Sequence, residues 1–195
     1  TPKTSSAASD VYKRQIRPSE YRAILKMLAD IAGDETMVIP AAGPAYGTMM
    51  DQAEMLRGTG FPTAMVLPQE GITTDLGVQR GIRDFAEHLE QPVVIYLKSE
   101  GYLSVERVRE LVDDGLVSWI KYAIVRDNPG DDDELRRLVD AVDPKIVVSG
   151  IGEQPAIVHM RDFGVGSFTS GCVCIAPRLS MEMLGAIRSG DWARA

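Results

Sequence analysis

Cysteine, histidine and basic charge are all scarce in this chain, and each shortage closes off a class of function. The two cysteines, Cys172 and Cys174, stand two apart in one apolar run. So isolated a pair makes no disulfide framework and lacks the companions of a zinc site. In a strand, that spacing puts both thiols on one face, where they read as buried free thiols. The two histidines, His88 and His159, fall in amphipathic helical stretches as surface or packing residues. Neither has the H-x-x-x-H partner of a metal-binding helix, so no metal site is expected. Lys and Arg number 21 against 28 Asp and Glu, a net charge of -7. Nucleic-acid binding would need a basic stripe, so no nucleic-acid partner is expected. No apolar run reaches the roughly 20 residues of a membrane span, and no continuous apolar h-region marks a signal peptide near the start. The expectation is a cytoplasmic protein without a membrane partner.

The composition, 45% hydrophobic and 25% charged, suffices for a sizeable core. Residues 1–15, TPKTSSAASDVYKRQ, are polar, aperiodic and unlike the rest of the chain; they read as a non-native flank and are set apart from the fold. From Pro18 onward helical and strand-like patterns alternate. PSEYRAILKMLADIAG opens on Pro, keeps apolar residues at helical spacing and stops at Gly33. Later helical stretches include TDLGVQRGIRDFAEHLE, LSVERVRELVDDG with Ser104 as its cap, and DDDELRRLVDAV. Between the helices lie short apolar runs: MVIPAAG, TAMVLPQEG, PVVIYLK, VSWIK, KIVVSG and VGSFTSGCV. Strand starts recur at roughly 21 to 29 residues, the size of one βα unit. Continuous apolar strands belong to parallel sheets covered by helices. Either an open doubly wound sheet or part of a (β/α)8 barrel would fit. The G-x-G-x-x-G turn of a dinucleotide-binding sheet is absent. A whole barrel takes about 250 residues, so residues 16–195 read as an incomplete TIM barrel of about six βα units.

In both architectures ligands meet the carboxyl ends of the strands. The polar residues there are Tyr96, Lys121, Ser149, and the group Ser167, Thr169 and Ser170. Alternation within VSWIK puts Val117, Trp119 and Lys121 on one face; Val94 and Tyr96 share a face of the preceding strand. Both polar tips can therefore point inward over an apolar floor. Desolvation disfavours a lysine's charged form and frees its lone pair to attack a carbonyl. The iminium so formed is an electron sink, and a nearby phenol can relay protons. Spacing alone leaves a second reading open, a solvated lysine at a strand end. The acidic run Asp131, Asp132, Asp133 and Glu134 sits at a helix start, where carboxylates meet the helix dipole favourably.

QPVVIYL, GYLSVERVRELVDDGLVSWIKYA and KIVVSGIGEQPAIVHMRDFGVGSFTSG together resemble the dihydrodipicolinate synthase and N-acetylneuraminate lyase family. The resemblance spans nearly all of residues 16–195 and is most specific where the Tyr strand precedes the Ile-Lys strand. It implies a (β/α)8 barrel and a lyase, an aldolase or dehydratase, acting on pyruvate or another 2-oxo acid or sugar acid through a lysine Schiff base. It also implies no cofactor and a homo-oligomer, commonly a tetramer. Carried onto this sequence, it makes Lys121 the imine-forming residue and Tyr96 the proton relay, with Phe168, Thr169 and Gly150 as substrate-binding positions.

The departures from the family pattern carry information. The Gly-Thr-Thr-Gly-Glu stretch that helps bind the keto-acid carboxylate is absent and would precede the first helix, so the first two barrel strands are expected to be missing. The Tyr-Asn-x-Pro motif appears as Tyr96, Leu97, Lys98 and Ser99, and the usual Lys-Asp-Ser as Lys121, Tyr122 and Ala123. Cys174 stands where several dehydratase relatives carry an asparagine, and LKSEGYLS has no counterpart of the arginine that holds the second substrate of lysine biosynthesis. A sugar-acid or other 2-oxo-acid aldolase or dehydratase fits better. The alternatives are a non-catalytic 2-oxo-acid-binding or interaction module on the same barrel, and an unrelated open α/β protein.

Overall fold

In a computed structural model of the protein, residues 16–33 and 37–195 are described; the flank read at residues 1–15 lies outside them. Helix and strand alternate throughout. The order is α1 (Pro18–Ile31), β1 (Ala41–Ala42), α2 (Tyr46–Leu56), β2 (Met65–Val66), α3 (Asp75–Leu89), β3 (Val93–Leu97) and α4 (Val105–Asp113). Then come β4 (Val117–Tyr122), α5 (Asp133–Ala141), β5 (Val147–Ser149), α6 (Glu153–Asp162), β6 (Ser167–Phe168) and α7 (Pro177–Arg188). All pairings are parallel and the six strands lie in sequence order. A doubly wound sheet reverses its strand order at a switch point; this sheet never reverses. With right-handed crossovers, such an order sets every helix on the same face. The architecture is a partial (β/α)8 barrel.

The two faces of the sheet are packed differently. Alternate strand residues Ala42, Val66, Val93, Ile95, Leu97, Ile120, Tyr122 and Val147 join the large core beneath the helices. On the opposite face Leu67, Tyr96 and Ala123 form a small cluster with Ala41, Met65 and Ile151. That second face is the interior of the barrel.

Element ends follow local chemistry. Pro18 opens α1, where the Arg17 N–H donates to the Glu20 carboxylate at 2.9 Å. Thr74 caps α3 by accepting from the Gly77 N–H at 3.1 Å. Ser104 does not cap α4 with its side chain. Its hydroxyl and N–H donate instead to Asp75 at the start of α3, and Arg107 Nε donates to the same carboxylate at 2.7 Å. Several strands are shorter than their apolar runs. β1 is reduced to Ala41–Ala42 because Pro40, just before it, has no N–H to give the ladder, although its carbonyl accepts from Met65. β6 stops at Phe168, so the cysteines fall in a 3-10 turn, Cys172–Cys174, and both are exposed. The expectation of buried strand thiols is thus overturned.

Candidate active site

Lys121 and Tyr96 are paired across β3 and β4. Adjacent parallel strands in register send paired residues to the same face, here the barrel interior. The lysine is 6% exposed and the tyrosine 1%. The Lys121 ammonium nitrogen lies 4.3 Å from the centroid of the Tyr96 ring, within cation–π range. Lys121 does not escape to solvent from its strand end.

Gly150, the residue after β5, bounds the lysine from the other side. A Cβ placed on Gly150 would sit 2.8 Å from Lys121 Cγ, 2.9 Å from the Tyr122 carbonyl and 3.0 Å from Ala123 Cβ. Its N–H donates to that carbonyl at 2.6 Å. The glycine is therefore the space that the lysine side chain occupies. At β6 the Thr169 N–H donates to the Ser149 carbonyl at 2.8 Å, which extends the rim by one residue. Phe168 pairs with Ser149 and Ser167 with Val148. Alternation then puts Ser167 on the Lys121 side and sends the Phe168 side chain toward the helices. Only the Phe168 backbone stays at the rim.

Ser149, grouped by sequence with the rim residues, belongs to the other face. It is fully buried and its hydroxyl lies 2.9 Å from His159 Nδ1 on α6. Burial pushes the imidazole pKa down, against the pull of the Asp132 charge. His159 is a packed core residue; His88 is partly exposed, with Nε2 3.6 Å from the Glu54 carboxylate. Among the described residues, no group of three His, Cys, Asp or Glu could hold a metal ion, and no helix is long and apolar enough to cross a membrane.

Two polar clusters escaped the sequence reading. Tyr122, next to the lysine, points to the helix side and donates to Asp132 at 2.8 Å from each carboxylate oxygen. Asp132 also caps α5 by accepting from the Leu135 N–H at 3.0 Å, and it accepts from Arg126 at 3.1 Å. Burial alone would raise the Asp132 pKa, but these donors outweigh it and hold the carboxyl below its usual range. Burial, then the Asp132 acceptor, raises the Tyr122 phenol. The second cluster joins Glu153 on α6 to the Ser170 hydroxyl and to the Ser180 hydroxyl on α7 at 2.9 Å. An aspartate before a helical run is a capping signal; that it would also meet a strand tyrosine ten residues earlier has no local sequence sign.

No protein-family profile matches the chain. The chain is 24% identical over 186 residues to the probable 5-dehydro-4-deoxyglucarate dehydratase 1 of Streptomyces coelicolor, a match that covers 90% of this chain and 57% of that protein. It superposes on the Bacillus clausii dihydrodipicolinate synthase structure with a TM-score of 0.77 at 22% identity, over 94% of this chain and 61% of the other. The pyruvate complex of YagE, an Escherichia coli K12 prophage protein of the dihydrodipicolinic acid synthase family, gives a TM-score of 0.79 at 21% identity, over 94% and 63%. The fold is that of the dihydrodipicolinate synthase family. The chain spans little more than half the length of the curated relative.

Proposed function

We propose that the protein is a lyase of the dihydrodipicolinate synthase and N-acetylneuraminate lyase family, in which Lys121 forms a Schiff base with a 2-oxo acid. One observation carries this reading: a buried lysine on the barrel face, at the carboxyl end of its strand, with its amine 4.3 Å from the ring of a buried tyrosine on the preceding strand. The lysine stands at the carboxyl end of a barrel strand, where the ligands of (β/α)8 enzymes are met. In the proposed reaction the neutral amine attacks the 2-oxo carbon and water leaves as the imine forms. Tyr96 carries protons between the amine, the departing oxygen and the substrate. The iminium then accepts the electron pair of the bond broken next to it, the C–C bond in an aldolase or a C–H bond in a dehydratase, where the resulting enamine expels the neighbouring hydroxyl, which leaves as water once protonated.

The relative named as a dehydratase of a sugar acid, together with the replaced Tyr-Asn-x-Pro and Lys-Asp-Ser motifs, favours a 2-oxo sugar acid as substrate. Thr169, on the barrel side of the β6 rim, and the Phe168 backbone are the proposed contacts to it. The complete protein should lose activity irreversibly when borohydride is added with pyruvate or a 2-oxo sugar acid, and keep it when borohydride is added alone. Loss that does not depend on the 2-oxo acid would overturn the imine mechanism.

A further inference from the structure

Resting on the reading of Lys121 as the imine-forming residue, we infer that the Tyr122–Asp132 and Ser149–His159 pairs are positioning residues for its amine. They lock β4 and β5 against the helices so that Lys121 stays on the barrel side over Tyr96.

Tyr122 and Ser149 are Cα partners in the β4–β5 ladder, as Lys121 and Val148 are. One residue pair thus faces the helices while the adjoining pair faces the barrel. A strand that slips by one residue turns every side chain to the other face. In β4 such a slip would exchange Lys121 for Tyr122. An apolar side chain next to Lys121 would resist that exchange weakly, since either face accepts it. The phenol of Tyr122 resists it strongly, because Asp132 is 2% exposed and would lose a donor in a buried site. Ser149 and His159 hold β5 in the same way, and β5 leads directly into Gly150, whose missing side chain is the room Lys121 uses. The Tyr122 and His159 rings meet edge to face at 6.3 Å, which joins the two pairs into one unit behind the lysine. Burying a carboxylate and a phenol is a poor way to gain stability alone, since a well-packed apolar pair does as well or better. Their place directly behind the lysine fits the choice of one register.

The test follows imine formation in the complete protein with pyruvate as probe, trapped by borohydride at successive times and read by mass. Tyr122→Phe and Ser149→Ala each remove one hydroxyl and keep the surrounding volume. A strand that samples the slipped register faster than the imine forms presents the amine to the barrel only part of the time, so in the folded protein the amplitude should stay and the rate constant at saturating pyruvate should fall about tenfold or more. The half-saturating pyruvate concentration should hardly change. A purely structural role would lower the amplitude, partly or wholly, and leave the rate constant of the folded fraction intact. That outcome in both variants, or unchanged rates at full amplitude, overturns the inference. If the unsubstituted protein forms no adduct, the imine reading fails first and the inference falls with it. Those two failures are told apart by the unsubstituted control.

Discussion

Replacing Gly150 by alanine adds one methyl group at the point where the site is tightest. The new Cβ would lie 2.8 Å from Lys121 Cγ and 2.9 Å from the Tyr122 carbonyl, both inside ordinary van der Waals contact. Neither neighbour can yield cheaply. Cγ lies near the root of the lysine side chain, and the carbonyl is fixed in β4, where it accepts from the Gly150 N–H. Gly150 is not among the glycines with positive φ, so alanine can adopt its backbone and the cost comes from contact alone. Overpacking of this kind costs about 1–3 kcal/mol, which should appear as a lower urea midpoint at unchanged slope. The larger effect should fall on the amine. If Lys121 moves by even about 1 Å, imine formation should slow by roughly a hundredfold. Borohydride trapping with pyruvate measures the rate, and urea unfolding of the same sample measures the stability. A Gly150→Ala protein that loses stability but traps pyruvate at the unsubstituted rate would refute the claim that this glycine makes room for the reactive lysine.

The polar groups behind the site carry expectations of their own. Asp132→Ala removes a buried carboxylate that accepts from Tyr122, Arg126 and the Leu135 N–H. It should destabilise the fold by about 2–4 kcal/mol, read from urea unfolding, and a cost below about 1 kcal/mol would contradict the described network. His159, whose pKa burial depresses, resists protonation in the folded protein more than in the unfolded chain. The unfolded chain therefore binds more protons, and stability should fall as pH drops through the ordinary imidazole value of about 6.5. Asp132 shifts its own contribution lower: its carboxyl is held below the usual range, so that stability is present above about pH 4 and lost as pH falls further. Urea midpoints measured across both windows check the signs, and a midpoint that rises on acidification through the imidazole window would reverse the first.

Much of the barrel was legible because parallel strands write themselves as short apolar runs at a regular interval. Alternation alone also brought Tyr96 and Lys121 to one face, and the paired register bears it out. Ser149 was less legible. In a strand of three residues, Val147–Ser149, the face of a residue depends on the neighbouring strand's register, which no local pattern encodes. The cysteines were misplaced for a related reason: the expected strand VGSFTSGCV runs past Phe168, where ladder pairing ends, and Thr169, Ser170 and Gly171 lead into the 3-10 turn. Ser104 looked like a cap and instead answers Asp75 from another helix, a contact made only by the tertiary fold. Tyr122 stood out in the sequence just as a departure from the family's Lys-Asp-Ser. Its partner ten residues onward gives that departure a physical content.

The proposed chemistry is attack of the Lys121 amine on a 2-oxo carbon. Reduction of the complete protein with borohydride in the presence of pyruvate, followed by proteolysis and tandem mass spectrometry, tests it at the level of the single residue. One reduced adduct is expected, carried by the peptide that contains Lys121 and absent from Lys121→Ala. An adduct on another lysine, or none with pyruvate and none with 2-oxo sugar acids, would contradict it.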